Sequence, residues 1–265
     1  MATEAEALNA LSAAEWLASG NTDAPPALSL DVAPHAGEQP DVERRQTQTE
    51  LQEDQRPAVT VDVVLLTVLR RRLDVLLVRR PRPPYEGMWA IPGGFVAPHE
   101  SLEDAALRVL EQMTGARDVY LEQVYTFGDP ERDPRMRVIT VVYYALIRPE
   151  LLRLQEREGP SESRRYWAYQ APPLAFDHEQ ILRYTLQRLR GKLEYTTVGF
   201  QLLGNEFTLS ELQEVYEAIL NRTLDKRNFR KKLLMTRIVE PTQHTKMVGQ
   251  HRPARLYRFN PLADK

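Results

Sequence analysis

The chain has 265 residues, 35 Lys and Arg against 37 Asp and Glu, a formal charge of −2 and no cysteine. Its length suggests two domains, and the absence of cysteine excludes a disulfide framework, a thiolate metal site and a thiol nucleophile. No apolar run reaches membrane-spanning length and no basic stretch followed by an apolar run marks a secretory signal, so a cytoplasmic protein with no membrane partner is expected.

Residues 1–57 carry eleven acids and three bases, a balance of −8, with few apolar residues. Such a segment lacks the apolar surface to offset its chain entropy, and disorder is expected. Leu8, Leu11, Trp16 and Leu17 are spaced for one short helix within it.

From Val59 the texture changes. Val59, Val61, Val63 and Leu65 alternate and apolar residues fill the other face up to Leu69, which reads as a buried strand. Arg70, Arg71 and Arg72 form a polar turn, a second strand runs from Asp74 to Arg80, and Pro81, Pro83 and Pro84 stop it. Gly93 and Gly94 read as a turn after a strand end, leading through a loop into an amphipathic helix from Ser101 to Thr114. Ser101 with Asp104 is spaced to cap it, and Gly115 ends it. Strands are further expected at Tyr120–Phe127, Val138–Ile147 and Tyr166–Tyr169. Residues 150–160 read as a charged loop, and Asp177 as the N-cap of a helix from His178 to Leu193.

Gly94, Glu100, Arg108, Leu110 and Gly115 stand in the register of the Nudix box, and the approach through Trp89-Ala90-Ile91-Pro92-Gly93-Gly94 resembles the entry to that motif. The resemblance implies hydrolysis of a nucleoside diphosphate with divalent cations. Magnesium takes hard oxygen ligands, and carboxylates at i, i+3 and i+4 would share one helix face. Here Val109, Gln112 and Met113 occupy the positions of the box glutamates, and Glu111 is rotated away from them. Hydrolysis is therefore expected to be absent or very weak, with no catalytic residue, no metal ligand and no required cofactor; residual Mg²⁺ binding stays open. Glu100 and Arg108 are expected to pair and tie loop to helix.

The stretches Tyr125–Arg135 and Leu174–His178 resemble segments of ADP-ribose-type Nudix proteins. An aromatic is able to stack on adenine and an arginine to grip a diphosphate bidentately. The candidate effector-binding residues are Arg79, Arg80, Gly94, Phe127, Arg132 and Arg137, against the plainer reading of surface arginines on a solvated loop. His178 beside Asp177 is expected to be structural.

Residues 195–204 read as a linker. Thr208 with Glu211 is a capping box for a helix whose apolar face is Leu209, Leu212, Val215, Tyr216, Ile219 and Leu220. A tight turn, Asn221–Leu224, leads to a second helix from Lys226 to Met235 with Asp225 and Asn228 at its cap, a helix-turn-helix pattern. Phe229 and Leu233 mark its inner side; Arg227 and Lys231 lie opposite, flanked by Asn228 and Arg230. Two strands, Ile238-Val239 and Leu256–Phe259, bracket a basic wing holding His244, Lys246, Gly249, His251, Arg252 and Arg255. From residue 221 onward twelve bases face three acids, a balance of +9. A charge run is often only a solvated face, but this one falls on a recognition helix and a wing. The candidate DNA-binding residues are Lys226, Arg227, Asn228, Arg230, Lys231, Lys246, Arg252 and Arg255.

Phe207–Glu217 followed by Leu224–Lys232 resembles the DNA-binding part of the Nudix-related transcriptional regulators, and the likeness extends over residues 58–261. It implies an α/β fold, a Nudix α/β/α sandwich at 58–194 followed by a winged helix-turn-helix domain at 195–265. It implies a homodimeric repressor of NAD-metabolism genes that binds a palindromic double-stranded DNA operator and takes ADP-ribose or a related nucleotide as effector. The helix from Asp177 to Leu193 is the candidate lever between domains. The alternative is an active Nudix hydrolase, ADP-ribose pyrophosphatase-like, with a nucleic-acid-binding tail.

Overall fold

A computed structural model of the chain describes residues 56–116, 119–152, 162–193, 196–247 and 253–263. The readings made for the acidic segment before Arg56, for most of the charged loop at 150–160 and for Gly249, His251 and Arg252 fall outside those residues.

A mixed sheet forms the first domain. Strands β1 (Ala58–Leu69), β2 (Arg72–Arg79), β3 (Trp89–Ala90), β5 (Tyr120–Phe127) and β6 (Val138–Leu146) lie in the order β3-β2-β1-β6-β5, with β4 (Gly93–Phe95) on β1 and β7 (Ser163–Trp167) on β2. β1 runs parallel to β6, pairing Val61 with Val141 and Val63 with Tyr143, and antiparallel to β2 and β4. Both faces of β1 are buried, which explains its nearly continuous apolar run.

Helix α1 (Leu102–Thr114) covers one face, packing Ala105, Ala106, Val109 and Leu110 on Val61, Val63 and Leu65. Helix α2 (His178–Leu193) covers the other with Ile181, Leu182, Leu186 and Leu189 on Val64, Leu66, Val75 and Leu77. The result is the three-layer α/β/α sandwich expected from the alternating pattern.

Four local readings need correction. Gly93 and Gly94 are not a turn: they form β4, pairing with Asp62 and Val61. A Cβ on Gly93 would lie 2.2 Å from Asp62 Oδ1 and 2.7 Å from the Val61 carbonyl, so the close strand approach, not a bend, demands glycine here. The strand expected at 166–169 runs instead over Ser163–Trp167, and Ala168–Gln170 is a 3₁₀ turn. Residues Val198–Leu202, read as linker, form a 3₁₀ helix whose Val198 and Leu202 belong to the α2-side core. The wing strands are longer than expected: β8 (Val239–Lys246) and β9 (Ala254–Phe259) take Lys246 and Arg255 out of the loop and into the ladder, and His244 into the irregular stretch of β8 between Pro241 and Thr245.

Helices α3 (Leu209–Leu220) and α4 (Lys226–Met235) precede that hairpin. Phe200, Phe207, Leu212, Leu233 and Val239 make a small core for this unit, and Phe207 bridges to Tyr257 of β9. Its other face is shared: Val215, Ala218 and Ile219 of α3 sit in the same cluster as Leu73, Val75 and Leu77 of β2. A helix with apolar residues on both sides bonds two units into one packed body.

Candidate effector cleft and nucleic-acid interface

The Ser101 side chain accepts the Asp104 N–H at 3.1 Å at the start of α1, and Gly115 closes it at φ 70°. Arg108 pairs with Glu100 as expected, Nε–Oε1 2.7 Å and NH2–Oε2 2.8 Å, and reaches the Phe95 carbonyl at 3.0 Å. The Ala97 N–H also donates to Glu100. The Arg108 hydrogen bond, aided by that amide, holds the Glu100 carboxyl down to about 2. This loop carries the box register but no acidic face. Val109 is in the core, Gln112 faces solvent and Met113 packs half-buried against the sheet. Val109 and Met113 offer no oxygen and the Gln112 amide carries no charge, so these three residues lack the carboxylate set that a Nudix box gives to magnesium. Among the described residues no group of three or more His, Cys, Asp or Glu is arranged to hold an ion.

A cleft of ≈ 290 Å³ opens at the ends of β1, β2 and β4, lined by Asp62, Arg79, Arg80, Gly94, Arg132, Asp133, Arg135, Phe176 and His178 among others. Four of the six candidate effector residues therefore meet here: Arg79, Arg80, Gly94 and Arg132. Phe127 does not. It is buried between Tyr125 and Tyr184, in edge contacts at 5.4 and 5.8 Å, on the α2 side of β5. Arg137 also lies off the lining, donating to the Asp129 carbonyl at 3.1 Å. Both residues follow the right sequence pattern on elements that turn them elsewhere.

Phe95 at the end of β4 lines the cleft, and so does Phe176, in the second stretch singled out from sequence. The Arg80 guanidinium lies 4.5 Å from its ring centre and Tyr85 meets its edge at 4.8 Å. Phe176 has φ 56° and Tyr85 φ 61°, left-handed conformations that bulky side chains rarely take. Such strain concentrates at ligand sites.

The cleft's cations differ in availability. Arg132 is buried and binds both oxygens of Asp177, Nε–Oδ2 2.9 Å and NH2–Oδ1 2.8 Å, with Asp62 at 3.5 Å. Asp177 thus meets a guanidinium rather than capping α2, and Arg132 reads as a buried strut as much as a ligand. Arg135 pairs with Asp133 and Arg79 with Glu162. Arg80 instead donates to the Pro84 carbonyl at 2.8 Å and the Arg82 carbonyl at 3.4 Å. Burial, then repulsion from Arg135, lowers its pKa, the mark of a cation in a field that an anion would relieve. His178 is structural: its Nδ1 accepts the Ile91 N–H at 2.9 Å, and burial pushes its pKa down, keeping the imidazole neutral.

The second site is α4 with the β8–β9 hairpin. Asp225 accepts the Asn228 N–H at 2.7 Å and starts the helix. Leu233 is buried and Phe229 packs edge-on to Tyr216 at 5.3 Å, fixing the inner face. Arg227, Asn228 and Lys231 are exposed on the outer face, as the helical wheel requires, while Lys226 is exposed at the first residue of the helix, seven residues before Leu233 and so above its inner side. Arg230 is half-buried and donates to Ser210 Oγ at 3.1 Å, so it braces α3 against α4. Lys246 is exposed but paired with Glu211 at 2.7 Å, while Arg255 is exposed on β9. The capping box of α3 is complete, Thr208 N–H to Glu211 Oε2 2.7 Å and Glu211 N–H to Thr208 Oγ1 3.1 Å. The same Glu211 thus serves helix cap and wing.

The model described as NUDIX domain matches residues 56–189, and the model described as NrtR DNA-binding winged helix domain matches residues 199–259. The ADPR responsive transcriptional repressor NtrR of Acinetobacter baylyi is 39% identical over 208 residues, 77% of this chain and 82% of that protein. The crystal structure of Shewanella oneidensis NrtR complexed with a 27mer DNA matches with a TM-score of 0.69 at 35% identity, over 78% of this chain and 95% of that one. An ADP-ribose pyrophosphatase of Methanocaldococcus jannaschii is 33% identical over 128 residues, 48% of this chain and 72% of that protein.

Proposed function

The chain belongs to the NrtR family of transcriptional regulators, a Nudix domain followed by a winged helix, and from that membership we propose that it is a DNA-binding repressor whose Nudix cleft senses ADP-ribose. The observation that carries this reading is the coexistence of a cationic cleft and an acid-free α1 face with an outward row of Arg227, Asn228 and Lys231 on α4. Arg80 and Arg79 supply the diphosphate contacts and Phe176 the stacking surface for the base or ribose. Arg227 and Lys231 are placed for guanine edges or phosphates and Asn228 for adenine, with Arg255 and Lys246 on the wing side meeting backbone phosphates. The sensor needs no metal and does not consume its effector.

Dimerisation on a palindromic operator, NAD-metabolism genes as targets, a cytoplasmic location and domain limits at 58–194 and 195–265 complete the proposal. Helix α2 is the proposed lever: Arg190 on it donates to the Ile219 carbonyl of α3 at 3.3 Å. The test is retention of fragmented genomic DNA on immobilised protein and elution with ADP-ribose. Elution of a few defined fragments supports regulator and effector together; no retention above background at moderate salt overturns the regulator.

The relationship to the M. jannaschii pyrophosphatase favours a second reading, an active ADP-ribose hydrolase with a DNA-binding tail. Product analysis of ADP-ribose incubated with the chain and Mg²⁺ separates the two: AMP and ribose 5-phosphate at enzymatic rates would establish the hydrolase.

A further inference from the structure

The β1–β2 hairpin closes through two residues, since Leu69 pairs with Arg72. Arg70 has φ 50° and Arg71 φ 64°. A tight hairpin with positive φ at both positions selects Asn-Gly, because a Cβ is disfavoured there. Arginine at both is not explained by the hairpin's own stability, and a strained pair of this kind points to a role for the side chains.

Arg71 reaches out of the sensor domain to α3. Its NH2 lies 3.2 Å from Glu217 Oε2 and its Nε 3.7 Å from Glu214 Oε1. Glu217 is the residue on which the helix-turn-helix turn hangs. Its Oε1 accepts the Leu224 N–H and the Gln213 Nε2–H, both at 2.9 Å, and its backbone carbonyl accepts the N–H groups of Asn221 and Arg222. Leu224 immediately precedes Asp225, the N-cap of α4. One nearly buried carboxylate therefore ties the end of α3, the turn and the start of α4, and its outer oxygen is held by the sensor domain.

The same strand reaches the cleft. β2 begins at Arg72 and ends at Arg79, beside Arg80, a buried rod of roughly 26 Å at 3.3 Å per residue. Its middle, Leu73, Val75 and Leu77, shares a core with α3. We propose that Arg71 and Glu217 are positioning residues that set the placement of α4 from the sensor domain, so that occupation of the cleft at the far end of β2 is felt at the DNA-reading helix. This rests on the effector reading above, and it adds the joint through which the response passes.

The test uses the full chain with Arg70→Asn/Arg71→Gly, a pair that suits the hairpin turn better than the native residues while removing the contact. Hydrogen exchange at residues 221–225 is expected to speed up in this variant and stay unchanged in α1; unchanged exchange at the turn overturns the joint, whether or not any effector acts. In the second arm, affinity for a duplex recovered by the native chain from genomic DNA is measured with and without ADP-ribose. The ratio is expected to shrink by about fivefold or more while ADP-ribose affinity holds, and Arg71→Lys, which keeps the charge, is expected to restore much of it. A ratio equal to native overturns the coupling. A native chain whose DNA binding ignores ADP-ribose sinks the effector reading instead, and the exchange arm still decides the joint.

Discussion

Arg132 and Asp177 face each other as a fork on a fork at the floor of the cleft, with donor–acceptor distances of 2.9 and 2.8 Å and the guanidinium side chain only 5% exposed. Asp177 stands at the start of α2, so this pair joins the loop after β5 to the helix that packs on the winged-helix unit. Removing one partner of a buried pair strands the other charge. Arg132→Ala is expected to cost about 3–5 kcal/mol, because Asp62 and Asp177 both lose their cation. Denaturant unfolding measures this, and a loss below about 1 kcal/mol would mean that the pair is not buried in solution.

Ligand recognition separates Arg80 from Phe127. Arg80→Ala is expected to weaken ADP-ribose binding by about 1.5–3 kcal/mol, the range for hydrogen bonds to a charged group. Phe176→Ala should lose about 1 kcal/mol through the missing stacking surface. Phe127→Leu, off the cleft, should leave affinity within a factor of about two. Isothermal titration with ADP-ribose tests the order; an equal loss for Phe127→Leu and Arg80→Ala would move the site towards β5.

Acid stability carries the signature of Glu100. Its carboxyl falls from an ordinary 4.5 to about 2 in the folded chain, chiefly through Arg108. A depressed folded pKa contributes stability that is present above the unfolded value and lost as pH falls through the folded one. The stability gap between the native chain and Glu100→Gln is therefore expected to be constant above about pH 5 and to close between about pH 4.5 and 2. Thermal melts across that range give the gap directly. A gap independent of pH would show that the pair with Arg108 is not formed.

DNA binding should divide by contact type. Arg227→Ala and Lys231→Ala, both exposed on α4, are each expected to lower the slope of log affinity against log salt by about 1 if they meet phosphate. A base contact instead costs about 1–3 kcal/mol on the preferred sequence alone. Arg230→Ala acts differently, since that side chain braces Ser210: it should lower thermal stability as well as affinity. Salt titrations and melts together sort the three.

Gly93 tests the strand reading of the double glycine. With 2.2 Å between a built Cβ and Asp62 Oδ1, Gly93→Ala is expected to destabilise by about 1–3 kcal/mol. Gly94→Ala, whose Cβ would meet Val109 and Arg108 at 3.6 and 3.7 Å, should be nearly neutral for stability. Similar melts for the two variants would contradict this packing.

The sequence alone determined most of the local order. The period-2 and period-3.6 patterns placed β1, β2, α1, α2, α3 and α4 to within a residue or two, because the apolar residues of each element are spaced for the faces it buries. Short-range chemistry was equally legible: the Ser101 cap and the Thr208–Glu211 box depend only on spacing along the chain, and the Glu100–Arg108 pair followed from the resemblance to the Nudix box. Contacts between distant segments were decided by the tertiary structure. Phe127 and Phe176 are both aromatics in plausible stretches, and only the sheet order and the left-handed backbone at Phe176 put the second in the cleft and the first in the core. Likewise Gly93 looked like a turn until β1 approached it, and Arg71 looked like a solvated turn residue until α3 packed beside β2 and brought Glu217 to it. Spacing fixes what a residue is able to reach within its own element; which partner arrives from another element depends on how the layers pack.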